Sequence, residues 1–395
     1  MNTGRREHIS RQDILLVSIS ILASIVMLFI PTGFEPPEAS PHSMRVHATV
    51  LDVDDSQVRE YGPVIEGTQH LELRIDSGRF KGEVQESINS IIGKKELDKV
   101  FEPGDRAYVV LDLNEAEDTI VYANVIDHYR SAKTLALLLL FFITLFAVAG
   151  WIGLKSIISF IFTGIILLKV LLPLFLHGFN PILTAAVVVT ILTGGIIFLV
   201  GGISRKGLTA FTGSFAGVLV TVVLAVASTH WFELNGATSP FLESLLYAGF
   251  GSINLTQIFI AGIFIASSGA VMDLAMDISA SMHEVLEKHP TITRFELMTS
   301  GLTVGRHAVG TMTTTLLLAY SGGYTGMLMN FIGRGVPFEN VINMVFVSSE
   351  LIHTFVGSFG LVLVAPLTAL AGSLIYIPGK KERQEEDATP LREAQ

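Results

Sequence analysis

Asp273 and Asp277 stand four residues apart, which on a helix puts both carboxylates on one face, about 40° apart. Gly262, Ala266, Gly269 and Ala270 fall on the same face. Small residues in such a stripe let another helix backbone approach closely. Two carboxylates at the end of a close-packed stripe can bind a cation or relay a proton. The plainer alternative sets them at the cytoplasmic end of their span, solvated or paired with nearby basic residues. Ionisable groups at membrane depth are functional candidates by default, because lipid penalises their charge.

Arg306 and His307 open the next apolar segment, where Thr303, His307, Thr311 and Thr314 share a helical face. From His307 to Tyr320 the helix would run about 21 Å, short of a hydrocarbon core of about 30 Å. Gly322-Gly323 then predicts an interruption, with the helix resuming over Tyr324–Ile332. Short, glycine-broken spans free backbone groups that coordinate ions in transporters; a helix kinked for packing is the alternative. Farther on, Asn343, Glu350, His353 and Gly357 line one stripe. Glu350-x-x-His353 resembles the carboxylate–imidazole pair that binds metals in helical bundles. Such a site needs further ligands, and no metal site is assigned. Lys169 lies inside the third apolar run, some 10 Å from its outer end, within reach of snorkelling or of pairing in the bundle. A substrate or ion path is therefore expected among Asp273, Asp277, Arg306, His307, Thr311, Glu350, His353 and Lys169. The aspartates and Glu350 are expected near opposite faces of the membrane, marking two gates of one path or unrelated sites.

Enzyme signatures are missing: no His-Glu-x-x-His, no G-x-S-x-G and no P-loop occurs. Zero cysteines exclude disulfides, thiolate metal sites and cysteine nucleophiles. No catalytic residue is assigned, no enzyme is expected, and the cofactor is left unknown. His283, Glu284, Glu287, Lys288 and His289 read as a solvated helix face.

Membrane helices must position these residues. The 395 residues are 50% hydrophobic and only 16% charged, with a mean hydropathy of +0.56; soluble chains run near 25% charged. A net charge of −10 with no basic stripe excludes a nucleic-acid partner. Stretches long enough to span, at roughly 20 residues each, fall at Ile14–Ile30, Thr134–Gly150, Ile157–Leu176, Ile182–Val200, Leu208–Ser228 and Leu255–Ala275. Two irregular segments follow, over Gly301–Ile332 and Asn343–Ile377, for about eight spans in all. The last is too long for one span, so its early part is expected to lie in the interface or re-enter. Gly213-x-x-x-Gly217 is a helix-packing motif with a high background in membrane sequences.

The first span follows Arg5, Arg6 and Arg11 and has no small-x-small site at its end. An uncleaved signal anchor is the preferred reading over a cleaved signal peptide; either sends the next segment outside. Residues 31–41, with four prolines, form a stiff linker. Residues 42–130 alternate as strands at Arg45–Leu51, His70–Ile75, Arg106–Asp112 and Thr119–Val125, separated by turn chemistry at Gly62-Pro63, Asp76-Ser77-Gly78 and Pro103-Gly104-Asp105. About five short strands fit a small β-barrel, with the OB fold as one form of it. Basic residues alternate as the positive-inside rule demands. Lys155, Arg205, Lys206, Lys288, Arg294 and the tail's Lys380, Lys381, Arg383 and Arg392 fall inside, while His177–Pro181 and His230–Asn254 hold no Lys or Arg.

The last third of the chain resembles a known family. Gly269-Ala-Val-Met-Asp273-Leu-Ala-Met-Asp277-Ile-Ser279, Gly305-Arg306 with Gly310-Thr311-Met312, and Leu316–Tyr320 resemble the hallmarks of the YibE/F-like bacterial membrane proteins. Glu350, Gly357-Ser358 and Pro366-Leu367-Thr368-Ala369 extend the likeness, and with the anchor and outer domain in order it covers nearly the whole chain. Two positions depart from the pattern: an acidic residue is common where His307 stands, and an arginine where His353 stands. The resemblance thus argues against Glu350-x-x-His353 as a metal motif. It implies an integral membrane protein, with transport a supposition.

The expected fold is an all-α polytopic membrane bundle, its last two spans broken or re-entrant, with a small N-terminal extracytoplasmic β-barrel-like domain. It divides into a cytoplasmic N-terminus and anchor (1–30), the linker, the β-domain, a helical domain (131–377) and a charged cytoplasmic tail (378–395). The expected place is the bacterial plasma membrane, both termini inside. Expected partners are the lipid bilayer and a small ion or solute, with a homo-oligomer left open. A permease or transporter is the leading function; a non-transporting scaffold for envelope assembly, acting through the β-domain, is the rival.

Overall fold

The structure, a computed structural model, describes residues 11–34, 42–238 and 241–377. Arg5, Arg6, the prolines at 36, 37 and 41, and the basic residues of the tail lie outside them. The chain forms two compact units: Phe34–Leu145, and Met1–Gly33 together with Phe146–Gln395.

The first unit is an antiparallel half-barrel. Its strands are β1 (Ser43–Asp54), β2 (Arg59–Tyr61), β3 (Val64–Ile75), β4 (Val84–Ile92), β5 (Arg106–Leu113) and β6 (Ile120–His128). The ladder runs β2-β3-β1-β5-β6, and β4 pairs with β3. Alternating residues of β1, β3 and β5, among them Val46, Ala48, Leu71, Leu73, Val109 and Leu111, make its core, as period-2 alternation requires. The edges β4 and β6 approach at Ser87, whose Oγ donates to the Ala123 carbonyl at 2.6 Å. Gln69 plugs the core: its Nε2 donates to Asp55 and the Phe101 carbonyl, while its Oε1 accepts from Asn89 and the Phe101 N–H.

The helices are α1 (Arg11–Phe29), α2 (Ser131–Ile166), α3 (Leu172–Leu176), α4 (Pro181–Gly201), α5 (Arg205–Trp231), α6 (Ser244–Tyr247), α7 (Leu255–Lys288), α8 (Arg294–Gly333), α9 (Phe338–Asn343) and α10 (Val345–Tyr376). Among the described residues, six segments are long and apolar enough to cross a membrane: α1, the run Ser131–Leu176, α4, α5, α7 and α10. Length and apolarity thus account for six of the about eight expected spans. Ser131–Leu176 is a single run of 46 residues, broken inside α2 at Gly150, whose φ of 54° and ψ of −126° leave the helix. A residue with a Cβ resists that conformation. The other loss is α8, long but too polar.

α8 also corrects the expected break. It runs unbroken for 40 residues, about 60 Å at the helical rise. Gly322 and Gly323 sit inside it with nothing within 4 Å of a Cβ position. Each costs about 1 kcal/mol relative to alanine, too little to stop a helix whose start is fixed by a Thr293–Glu296 capping box. The last segment is interrupted early, at Met344. Met344, with ψ of 134°, separates α9 from the 32-residue α10. Asn343 consequently leaves the Glu350 stripe and donates from Nδ2 to the Glu339 carbonyl.

At the centre, α10 packs against α5, α7 and α8, and α7 against α4, α5, α8 and α10. The α5–α10 contact is a ladder of small residues. A Cβ at Gly213 would collide with Thr368, one at Gly217 would press on Val364, and one at Gly360 would collide with Thr221. Gly213-x-x-x-Gly217 is thus a packing motif in fact, meeting α10 in antiparallel register. Gly301 and Gly305 of α8 meet Ala369 and Ala365 of α10 in the same manner.

Candidate functional site

Two polar groups form in the helical unit, at different depths. One end of the bundle is marked by Ser204, which caps α5, and Gly202, which ends α4. Gly201 lies against Met276, and Ser279 Oγ donates to the Lys206 carbonyl at 2.7 Å. Tyr376 ties α10 to the same level, donating to the Ser279 carbonyl at 3.0 Å. That end of the bundle therefore runs close to Asp277, and Asp273 sits one helical turn, about 5.4 Å, farther from it.

α7 and α8 are antiparallel. Gly301 lies against Met282 and Gly305 against Ile278. Carrying that register on one step sets Asp277 level with Arg306, and one turn more brings Asp273 level with Gly310 and Thr311. Asp273, Asp277, Arg306, His307 and Thr311 are all exposed, on the outer flank of the two helices rather than inside the bundle. Among the described residues, no hydrogen bond or ion pair from another residue's side chain reaches Asp273, Asp277, Arg306 or His307; Thr311 Oγ1 donates only to the Ala308 carbonyl.

The second group is built around His353. Its Nε2 lies 3.2 Å from the Gly262 carbonyl of α7, and its ring stacks on Tyr320 of α8 at 5.0 Å between centroids. Phe259 closes the far side at 6.4 Å. Gly357, one turn on, lets Ser267 and Tyr320 approach, and the Tyr320 hydroxyl is buried without a hydrogen-bond partner among the described residues. Half-buried Glu350 lies three residues before His353, on the preceding turn. From the His353–Gly262 contact, this group sits about eleven residues from Asp273 along α7, roughly 16 Å, so the two sets of candidates do not share one site.

Lys169 joins neither group. It lies in a π-helical turn, Leu167–Leu171, where Leu172 N–H bonds to the Leu167 carbonyl. The wide turn stands just before Pro173, whose ring and missing N–H disfavour an ordinary α-turn there. This turn packs on α4. Lys155 is likewise repositioned: it stands within α2 and not in a loop, buried, with Nζ on Asp13 of α1 at 2.5 Å. Sequence reading missed this pair; its signal was one acid and one base, each at the end of an apolar run.

No described group of three or more His, Asp or Glu side chains is arranged to hold a metal ion. Cavities of about 570 Å³ and 550 Å³ open on the β-unit. The first is lined by Asp52, Asp54, His70, Glu72, Glu86 and Tyr122. Between α4 and α5 the gap at Val189, Thr193 and Phe211 is too tight for water.

Neither the curated proteins nor the solved structures yield a match to this chain. The family model for the YibE/F-like proteins matches residues 137–378. That stretch is more than half of the sequence and holds α4 through α10 with both polar groups, so this membrane protein belongs to the YibE/F-like family.

Proposed function

We propose that this chain is a permease for a small ion or solute, and not an enzyme, with its path along the α7–α8 flank rather than through the packed centre. The supporting observation is that flank. Five exposed polar side chains, two acids and two bases among them, stand within two turns of one another along the flank, and among the described residues none of the four charged or basic ones is in a side-chain ion pair. Charge at the margin of a bilayer without a local partner points to water or a passenger species.

Eight crossings are part of this reading. α1, the two halves of the Ser131–Leu176 run, α4, α5, α7, α8 and α10 then alternate. The inner end gathers Asp13, Lys155, Arg205, Lys206, Lys288 and Arg294. The outer end gathers Gly33, His177, the 232–254 loop and Arg334. Both termini fall on the cytoplasmic side of the plasma membrane and the β-unit outside, where its strand order suits a small OB-type barrel.

Reconstitution tests it. Asp273→Asn with Asp277→Asn is expected to lower flux across a panel of inorganic cations and small anions in liposomes by at least about tenfold, as loss of a charged coordination site would. Unchanged flux in the folded double variant removes these residues from any path.

A second reading, a non-transporting scaffold for envelope assembly, is favoured by one feature: the gap between α4 and α5 is too tight for water, whereas roomy cavities open on the β-unit. It predicts no flux for any solute, together with retention of an envelope protein or polymer by the full chain in nanodiscs, lost on Glu72→Ala with Glu86→Ala.

A further inference from the structure

We infer that the α7–α8 flank is the contact surface between two copies of this chain, in a dimer whose two-fold axis runs along the membrane normal. Glycines in this bundle mark where helices touch. Gly213, Gly217, Gly301, Gly305 and Gly360 are each met closely by a neighbouring helix. Gly269 and Gly310, both exposed on the α7–α8 flank, meet nothing within 4 Å. These are open seats of the kind that membrane helices use to approach one another.

Charge says what fills them. The α7 side of the flank ends in Asp273 and Asp277; the α8 side carries Arg306 and His307 at the same depth. Rotation by 180° about an axis along the membrane normal leaves every residue at its own depth, and brings α7 of one copy opposite α8 of the other. The acidic stripe of each copy then meets the basic stripe of its partner, twice over. A chain with acid and base at different depths could not do this. Exposed Asp277 and Arg306, unpaired within one copy, become paired across two. The inference needs only that the flank lies in the membrane, not that anything moves along it.

The chain holds no cysteine, so single thiols report contact without a background. Gly269 and Thr314 lie level by the α7–α8 register. Gly269→Cys in one tagged copy and Thr314→Cys in a second, co-expressed copy should form a disulfide-linked dimer in membranes under mild oxidation. Leu168→Cys, exposed on the π-helical turn that packs against α4, should form none. Adding Asp277→Arg to the first copy should abolish the link, and Arg306→Asp in the second should restore it. Absence of the Gly269–Thr314 link, equal linking at Leu168, or failure of the charge exchange to restore it each overturns the dimer. Flux in liposomes bears on the permease reading separately.

Discussion

At the scale of single residues, the clearest energetic commitment is the Asp13–Lys155 pair. The Lys155 side chain is 8% exposed and that of Asp13 19%, flanked by Val17, Ile158 and Leu199. A buried pair adds little over a well-packed apolar replacement, but removing one partner strands a charge, at about 3–5 kcal/mol. Lys155→Met should therefore lower the thermal midpoint of the protein in nanodiscs substantially, and Asp13→Asn added to it should recover most of the loss. A single variant as stable as the parent would mean the pair is solvated. Neither residue advertised this in the sequence. Lys155 was readable as a loop charge because a lysine near the inside of an apolar run usually is one, and pairing over 142 positions leaves no local trace.

At the scale of elements, apolar periodicity located the spans well and interruptions poorly. Gly150 and Gly322-Gly323 are alike as residues, yet the chain leaves the helix at the first and stays in it at the second. The difference is the backbone: Gly150 takes a left-handed φ, which only the fold around it demands. Strand β4 was illegible for another reason. Its inward positions are Ser87, Asn89 and Ile91, so polar side chains occupy the core face and hydrogen-bond there, inverting the pattern that marked β1, β3, β5 and β6. Glycine substitutions separate the two uses of the residue. Gly213→Ala drives a methyl into Thr368 and should cost about 1–3 kcal/mol as overpacking. Gly323→Ala meets open space and should stabilise α8 by about 1 kcal/mol through helix propensity. Thermal unfolding of the purified variants reads both, and a destabilising Gly323→Ala would restore the functional break that the continuous helix denies.

At the scale of the whole molecule, charge asymmetry is the most legible feature, because it depends on counting and not on contacts. Within the helical unit, contacts sort the described ends into two sets. Ser279 with Lys206 and Arg294 with the Ile377 carbonyl fix one; Thr256 with the Asn235 carbonyl and Gly33 beside His177 fix the other. The first set carries Arg205, Lys206, Lys288 and Arg294, and the second Glu233, Glu243, Glu339 and a single arginine, Arg334. Translocation retains basic loops on the cytoplasmic side, so the 232–254 loop should face outward and the α7–α8 turn inward. In intact cells, a membrane-impermeant thiol reagent should label Glu243→Cys and reach Thr291→Cys only after permeabilisation. The opposite pattern would invert the protein and move Asp277 and Arg306 to the outer leaflet. Equal labelling of both sites in sealed cells would mean that α7 does not cross at all, and the flank would lose the depth on which its charges depend.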